Sequence, residues 1–297
     1  MLTATVLAAR PDFRITAVSC RDDHTNWSQA EVREDYQVVL VQRGRFRRKV
    51  AGAPAEVDPT TGYLGVPGEE ERFAHPAAGG DECTSISLTP TLWRAVAGED
   101  ARPARQSVYV DARLDLAHRR VLASARTGDV DHAVTEELLG LLSTTVGHAV
   151  DGAVPTGMRP GRDEGTLVAA ARQAIGEAHP ASEGLLPLAE LLGVSPYRLS
   201  RAFTRVLGVS LTRYRNRVRV GRALDRLDAG EESLATLAAD LGFSDQAHLT
   251  RTMRHYLGHT PTALRRLLAP GHPEGDIAGQ RALDQGPARA ATRQEGR

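Results

Sequence analysis

Leu188-Ala189-Glu190-Leu191-Leu192-Gly193-Val194-Ser195 returns 49 positions later as Leu237-Ala238-Ala239-Asp240-Leu241-Gly242-Phe243-Ser244. After one inserted residue the offset becomes 50: Leu199-Ser200-Arg201 recurs as Leu249-Thr250-Arg251, Leu207-Gly208 as Leu257-Gly258, and Ser210 as Thr260. Each copy has the grammar of a short helix, a tight turn and a second helix. That layout presents one helix to the DNA major groove. Two arginine-rich copies in tandem point to DNA binding.

In the first copy Leu186, Leu188, Ala189, Leu191 and Leu192 supply the packing face of the supporting helix. Gly193 ends it, where a left-handed residue costs least. Ser195-Pro196 opens the next helix as N-cap and first-turn proline. Leu199, Phe203 and Val206 recur at helical spacing and turn inward, leaving Tyr197, Arg198, Ser200, Arg201, Thr204 and Arg205 outside. In the second copy Gly242 stops the support helix and Ser244 caps the next. Leu249, Met253 and Tyr256 turn inward, so Gln246, Ala247, His248, Thr250, Arg251 and Arg254 stay outside. Between the copies, Leu211 to Leu227 reads as one helix about 25 Å long. That length suits two recognition helices set in groove segments about 34 Å apart. Arg201 and Arg251 have a plainer reading as solvated charges or internal ion-pair partners, Arg201 with Glu190. Their matching places in both copies favour DNA.

These residues resemble the DNA-binding domain of the AraC/XylS family of transcription regulators over roughly residues 165–268. The closest stretch runs from Gly242 through Ser244-Asp245-Gln246-Ala247-His248-Leu249-Thr250-Arg251, followed by Leu257-Gly258-His259-Thr260-Pro261. Leu249 and Met253 stand where phenylalanine is common in that family. By position, the resemblance implies base or phosphate contacts from Tyr197, Ser200 and Arg201, and from Gln246, His248, Thr250 and Arg251. It also implies a double-stranded DNA partner, a homodimer, RNA polymerase as a partner if the protein activates, and a small-molecule effector that no residue names.

The zero net charge hides an asymmetry. Residues 183–270 carry 13 arginines against 8 acidic residues, while residues 1–182 carry 20 basic against 25 acidic. A basic C-terminal module is expected of something that neutralises phosphates. The chain holds one lysine, Lys49, among 37 basic residues, a bias that runs throughout and reflects genome composition.

The 297 residues suit two domains: 1–150, a linker at 151–164 rich in Gly and Pro, the DNA unit at 165–268, and a disordered tail at 269–297. The expected fold is α+β, with a cupin-like β-barrel and a helix pair before an all-α domain of two helix-turn-helix units joined by a long helix. In the first part Tyr36–Val41 and Phe46–Val50 read as a hairpin about Arg43-Gly44-Arg45, and Cys83–Leu88 as a half-buried strand. Leu114 to Leu122 and Val134 to Val150 are apolar stripes split by Gly128-Asp129, a helix pair that covers the barrel or dimerises.

The barrel likeness rests on 38–50, Gly65 to Glu69 and His75-Pro76. With no His-x-His anywhere, a metal cupin enzyme is not expected and no cofactor is assigned. Cys20, His24, His75 and Cys83 suit zinc or copper by type. No paired CxxC spacing supports that, and scattered cysteines are more often buried small hydrophobes, so the metal or thiol sensor is the alternative reading. Arg43, Arg45, Arg47, Arg48 and Lys49 read as the wet face of a strand rather than an anion site. Two cysteines, a start without a charged lead and the lack of a membrane-length apolar run read as cytoplasmic, with no membrane partner.

Overall fold

The computed structural model describes residues 2–21, 25–76, 80–99, 103, 106–150 and 162–269. Among the described residues the first half holds ten strands: β1 Leu2–Arg10, β2 Phe13–Cys20, β3 Glu31–Val32, β4 Tyr36–Gly44, β5 Phe46–Val50, β6 Ala53–Val57, β7 Thr61–Gly65, β8 Glu70–Ala74, β9 Asp81–Leu88 and β10 Ser107–Tyr109. They form a six-stranded sheet, ordered β1-β2-β9-β4-β7-β10, and a four-stranded sheet, ordered β3-β8-β5-β6.

The expected barrel therefore does not close, because no ladder among the described residues joins the two sheets. The expected β4–β5 hairpin is absent as well. β4 carries a bulge between Val41 and Arg43, and Gly44 has a positive φ of 77°. A Cβ at Gly44 would sit 1.8 Å from the Gly80 carbonyl oxygen. There the chain leaves one sheet for the other, and β5 pairs with β6 and β8 instead.

Alternation along β4 and β9 gives the six-stranded sheet two buried faces. Val39, Val41, Tyr63 and Cys83 face the four-stranded sheet, where they meet Phe46 and Val57. Val38, Leu40, Ile86 and Leu88 face the helices α1 Pro90–Ala97, α2 Ala112–Thr127 and α3 Thr135–Val150. Alternation also turns Arg48 inward beside Phe46. It is buried, ion-paired with Glu71 and stacked 4.2 Å from the Tyr63 ring, so the wet-face reading fails for this residue. Arg47 and Lys49 point the other way and cover the Trp27 ring.

The helix pair splits at Gly128, which is left-handed (φ 78°), followed by a π turn over Val130–Val134. Leu114, Val121, Leu138, Leu141 and Leu142 pack onto the sheet. The stripe thus covers the strands.

The second half is all helical: α4 Arg162–Gly176, α5 Leu185–Leu191, α6 Pro196–Leu207, α7 Leu211–Asp228, α8 Leu234–Asp240, α9 Gln246–Leu257 and α10 Pro261–Leu268. Because α4 starts at Arg162, the last three positions of the expected linker are helical; 151–161 and 270–297 lie outside the described residues. α4, α5 and α6 share one core through Val168, Ala171, Leu188, Leu199, Phe203 and Tyr214. α8, α9 and α10 share another through Leu237, Leu249, Met253 and Leu264, which Ala112 and Leu116 of α2 join. No helix among the described residues is long and apolar enough to cross a membrane.

Candidate nucleic-acid interface

The two copies are built by the same local chemistry. In the first, Gly193 is left-handed (φ 63°), its N–H donates to the Glu190 carbonyl, and the Val194 N–H donates to the Ala189 carbonyl at 3.0 Å. In the second, Gly242 (φ 70°) donates to the Ala239 carbonyl and Phe243 to the Ala238 carbonyl at 2.9 Å. These paired bonds satisfy carbonyls that the end of a helix leaves open, and they require φ > 0 at the glycine.

The second helices of the two copies, α6 and α9, are both 12 residues long, and both end at left-handed glycines, Gly208 and Gly258. Their caps differ. The Ser195 hydroxyl accepts from the Arg198 N–H at 3.2 Å, as expected. In the second copy the inserted residue moves the cap one place on. Asp245, not Ser244, accepts the His248 N–H, at 2.6 Å. The bond to that N–H holds the exposed Asp245 carboxyl below the usual carboxylate range.

Leu199 and Phe203 of α6 and Leu249 and Met253 of α9 are buried, as their spacing requires. Tyr197, Arg198, Arg201, Gln246, Arg251 and Arg254 are exposed, with Ser200 and Thr250 half-buried. Arg201 donates to the Tyr197 hydroxyl at 2.8 Å and lies 5.5 Å over its ring, so its partner is Tyr197 rather than Glu190. Arg205 and His248, also expected as contacts, reach other parts of the helical half. Arg205 pairs with Glu164 of α4 at 2.5 Å, and His248 meets Ser244 at 3.1 Å and the edge of Phe243.

The support helix of the first copy departs from expectation. Only Leu188 and Ala189 of its apolar set are buried, while Leu186 (68% exposed) and Leu191 (47%) face outward. With seven residues, α5 reaches the shared core only through Leu188 and Ala189, too little to enclose a wide stripe.

Sequence reading missed what joins the halves. Arg217 of α7 is buried; it donates to the Val110 carbonyl at 2.7 Å and the Pro59 carbonyl at 3.0 Å, and meets Asp115 of α2 at 3.1 Å. Asp115 also holds Arg119, which reaches Asp225 at 2.7 Å. Burial pushes the Asp115 carboxyl up, but Arg217 and Arg119 outweigh it and hold it below its ordinary range. Gly221 makes this approach possible, since a Cβ there would lie 2.5 Å from Arg217 Nη1. Nearby, Arg172 of α4 pairs with Asp58 at 2.6 Å, and Tyr214 meets Thr60. A cleft of about 400 Å³ opens beside these groups.

The expected metal-type residues fare unequally. His24 lies outside the described residues. Cys20 and His75 do come together, with Asp81, which the sequence reading had not picked. Cys83 stands apart from that trio, on the same face of β9 as Asp81. Burial first, then Asp81, raises both thiols above their ordinary range. The signal for Asp81 was available: two residues from Cys83 in one strand, it shares that face.

Compared with known proteins, residues 188–267 match a family described as a helix-turn-helix domain. Over 78 residues the chain is 31% identical to the arabinose operon regulatory proteins of Salmonella typhimurium and Escherichia coli. That match covers 26% of this chain and 28% or 27% of theirs. It is 35% identical over 81 residues to an uncharacterized HTH-type transcriptional regulator of Staphylococcus aureus, 27% of this chain and 11% of that protein. The chain thus spans only a small part of these relatives. Among solved structures, unsaturated fatty acid bound ToxT from Vibrio cholerae overlays 89% of this chain and 99% of its own, at 10% identity and a TM-score of 0.36. A cupin 2 conserved barrel domain protein from Leptotrichia buccalis overlays 30% of this chain and 41% of its own, at 15% identity and a TM-score of 0.27.

Proposed function

We propose that this chain is an AraC/XylS-type, sequence-specific, DNA-binding transcription regulator, a reading supported by the helix-turn-helix match over residues 188–267 and the likeness to the arabinose operon regulatory proteins. The observation that carries this reading is the duplicated unit: two helices of equal length, each fixed by a left-handed glycine turn, each turning polar side chains outward. α6 and α9 enter successive major-groove segments of double-stranded DNA. α7, of 18 residues and about 27 Å, spaces them. Tyr197, Arg198, Ser200, Arg201, Gln246, Thr250, Arg251 and Arg254 make the base and phosphate contacts. Arg205 and His248 brace the helices from within. The copies differ in sequence, so one subunit reads two different segments and its half-site need not be palindromic.

Residues 1–150 act as the controlling half and 165–268 as the DNA half, joined by 151–164. A signal enters where both halves line one space. The layer between the sheets is occupied by Phe46, Tyr63 and the Arg48–Glu71 pair, whereas the cleft beside Asp58, Arg119, Arg172 and Arg222 touches both halves. A small polar effector bound there biases the DNA half by contacts that differ between two arrangements. Pairing into a homodimer, and contact with RNA polymerase if the outcome is activation, complete the reading.

Footprinting of the full chain on the promoter beside its own gene tests it. The expected result is two protected segments on one DNA face, about one helical turn apart. Uniform protection without a boundary, or none, would overturn it.

A further inference from the structure

We propose that Cys20, His75 and Asp81 form a zinc-class divalent-cation site at one end of the layer between the two sheets. Strand register brings two of the ligands together. Cys20 at the end of β2 lies directly opposite Asp81 at the start of β9, and Val18 opposite Cys83, so all four share one sheet face. His75 follows β8 of the other sheet, with its ring beside Phe46. Three elements from both sheets thus converge on one point.

The donor atoms, Cys20 Sγ, a His75 ring nitrogen and an Asp81 carboxylate oxygen, all lie within 4.8 Å of one another. Tetrahedral zinc with bonds near 2.1 Å holds its ligand atoms about 3.4 Å apart. His75 Nε2 and Asp81 Oδ1, now 2.8 Å apart, need to part only slightly to admit the ion. Cys20 and Asp81 are buried, and His75, half-buried, leaves an approach from solvent. The backbone is pinched around them, since a Cβ at Gly80 would lie 2.9 Å from the Cys20 carbonyl oxygen. The cradle is therefore held by main chain rather than by flexible side chains.

One thiolate, one imidazole and one carboxylate suit zinc. Magnesium and calcium avoid sulfur, and copper(I) prefers more of it. On binding, Cys20 releases its proton to solvent, His75 offers a neutral ring nitrogen, and a water fills the fourth position. Cys83, two residues from Asp81 on the same face of β9, stays outside the trio and does not bond the metal. This inference is independent of the DNA reading, because it is tested on the protein alone.

The test titrates the chelator-stripped full chain with zinc against a chromophoric chelator, and with cobalt(II) as a spectroscopic stand-in. One zinc per chain and a thiolate-to-cobalt charge-transfer band are expected. Cys20→Ser should abolish the band and Cys83→Ser should keep it. Asp81→Asn, which preserves shape and the thiol, should weaken zinc at least about tenfold. Failure of the wild-type chain to hold stoichiometric zinc, a band that survives Cys20→Ser, or unchanged zinc affinity in Asp81→Asn would each overturn the assignment.

Discussion

Arg217 of α7 meets Asp115 of α2 at 3.1 Å, both side chains buried, and this pair joins the helix between the two copies to the sheet-bearing half. A buried charge left without its partner is strongly destabilising, whereas replacing both partners by apolar groups is often neutral. Arg217 also satisfies the Val110 and Pro59 carbonyls, so its removal takes a donor from both carbonyls and one of two arginines from Asp115. Arg217→Met is expected to cost about 3 kcal/mol in chemical denaturation. Arg119 still holds Asp115, which keeps the loss at the lower end of the range for such pairs. A change under about 1 kcal/mol would show that the halves are not joined here.

Acid should weaken the same region in two stages. His118 lies one turn beyond Asp115 on α2, and its Nε2 meets the Thr84 hydroxyl of β9 at 2.8 Å. Burial, helped by Arg119 and opposed by Asp115, pushes its imidazole down to about 4. The folded chain therefore keeps His118 neutral while the unfolded chain protonates it near pH 6.5. Stability is full above about pH 6.5 and falls as pH drops towards 4, by on the order of 3 kcal/mol. Asp115, held low, contributes above its ordinary range near pH 4, and that contribution is lost only on further acidification. Denaturation midpoints between pH 7 and 4.5 should slope in the wild type and flatten in His118→Gln. An equal slope in both would contradict the assignment.

The inserted residue in the second copy makes a sharp local prediction. Asp245→Ala should lower the melting temperature of the helical half, because it removes the bond to the His248 N–H. Ser244→Ala should leave it nearly unchanged, since Ser244 caps no helix N–H. The reverse order in thermal unfolding would restore Ser244 as the cap.

Much of this was legible in the sequence because it is local. Gly193 and Gly242 mark helix ends by a backbone need that only glycine meets cheaply. Leu199, Phe203, Leu249 and Met253 declare their faces by spacing alone. What failed was non-local. Periodicity shows that Leu186 and Leu191 are apolar, but not that a seven-residue helix finds no cover for them. Nor does it show that α2 uses Leu114 against the sheet and Leu116 against the second helical core. Gly44 reads as a hairpin turn and is instead a crossing between sheets. The burial of Arg217 and Arg48 depends on partners 102 and 23 residues away in sequence, Asp115 and Glu71, which no window contains. Asp81 was missed beside Cys83 for want of one step of strand parity.

If the exposed faces of α6 and α9 hold DNA, Arg201 and Arg251 carry a large share of the affinity. Fluorescence anisotropy of the full chain on its footprinted site, at several salt concentrations, tests this most directly. The Arg201→Ala, Arg251→Ala double variant should bind at least about 30-fold more weakly than wild type, roughly 2 kcal/mol, and show a shallower salt dependence wherever an arginine held phosphate. Affinity and salt slope both unchanged in a folded double variant would contradict the account.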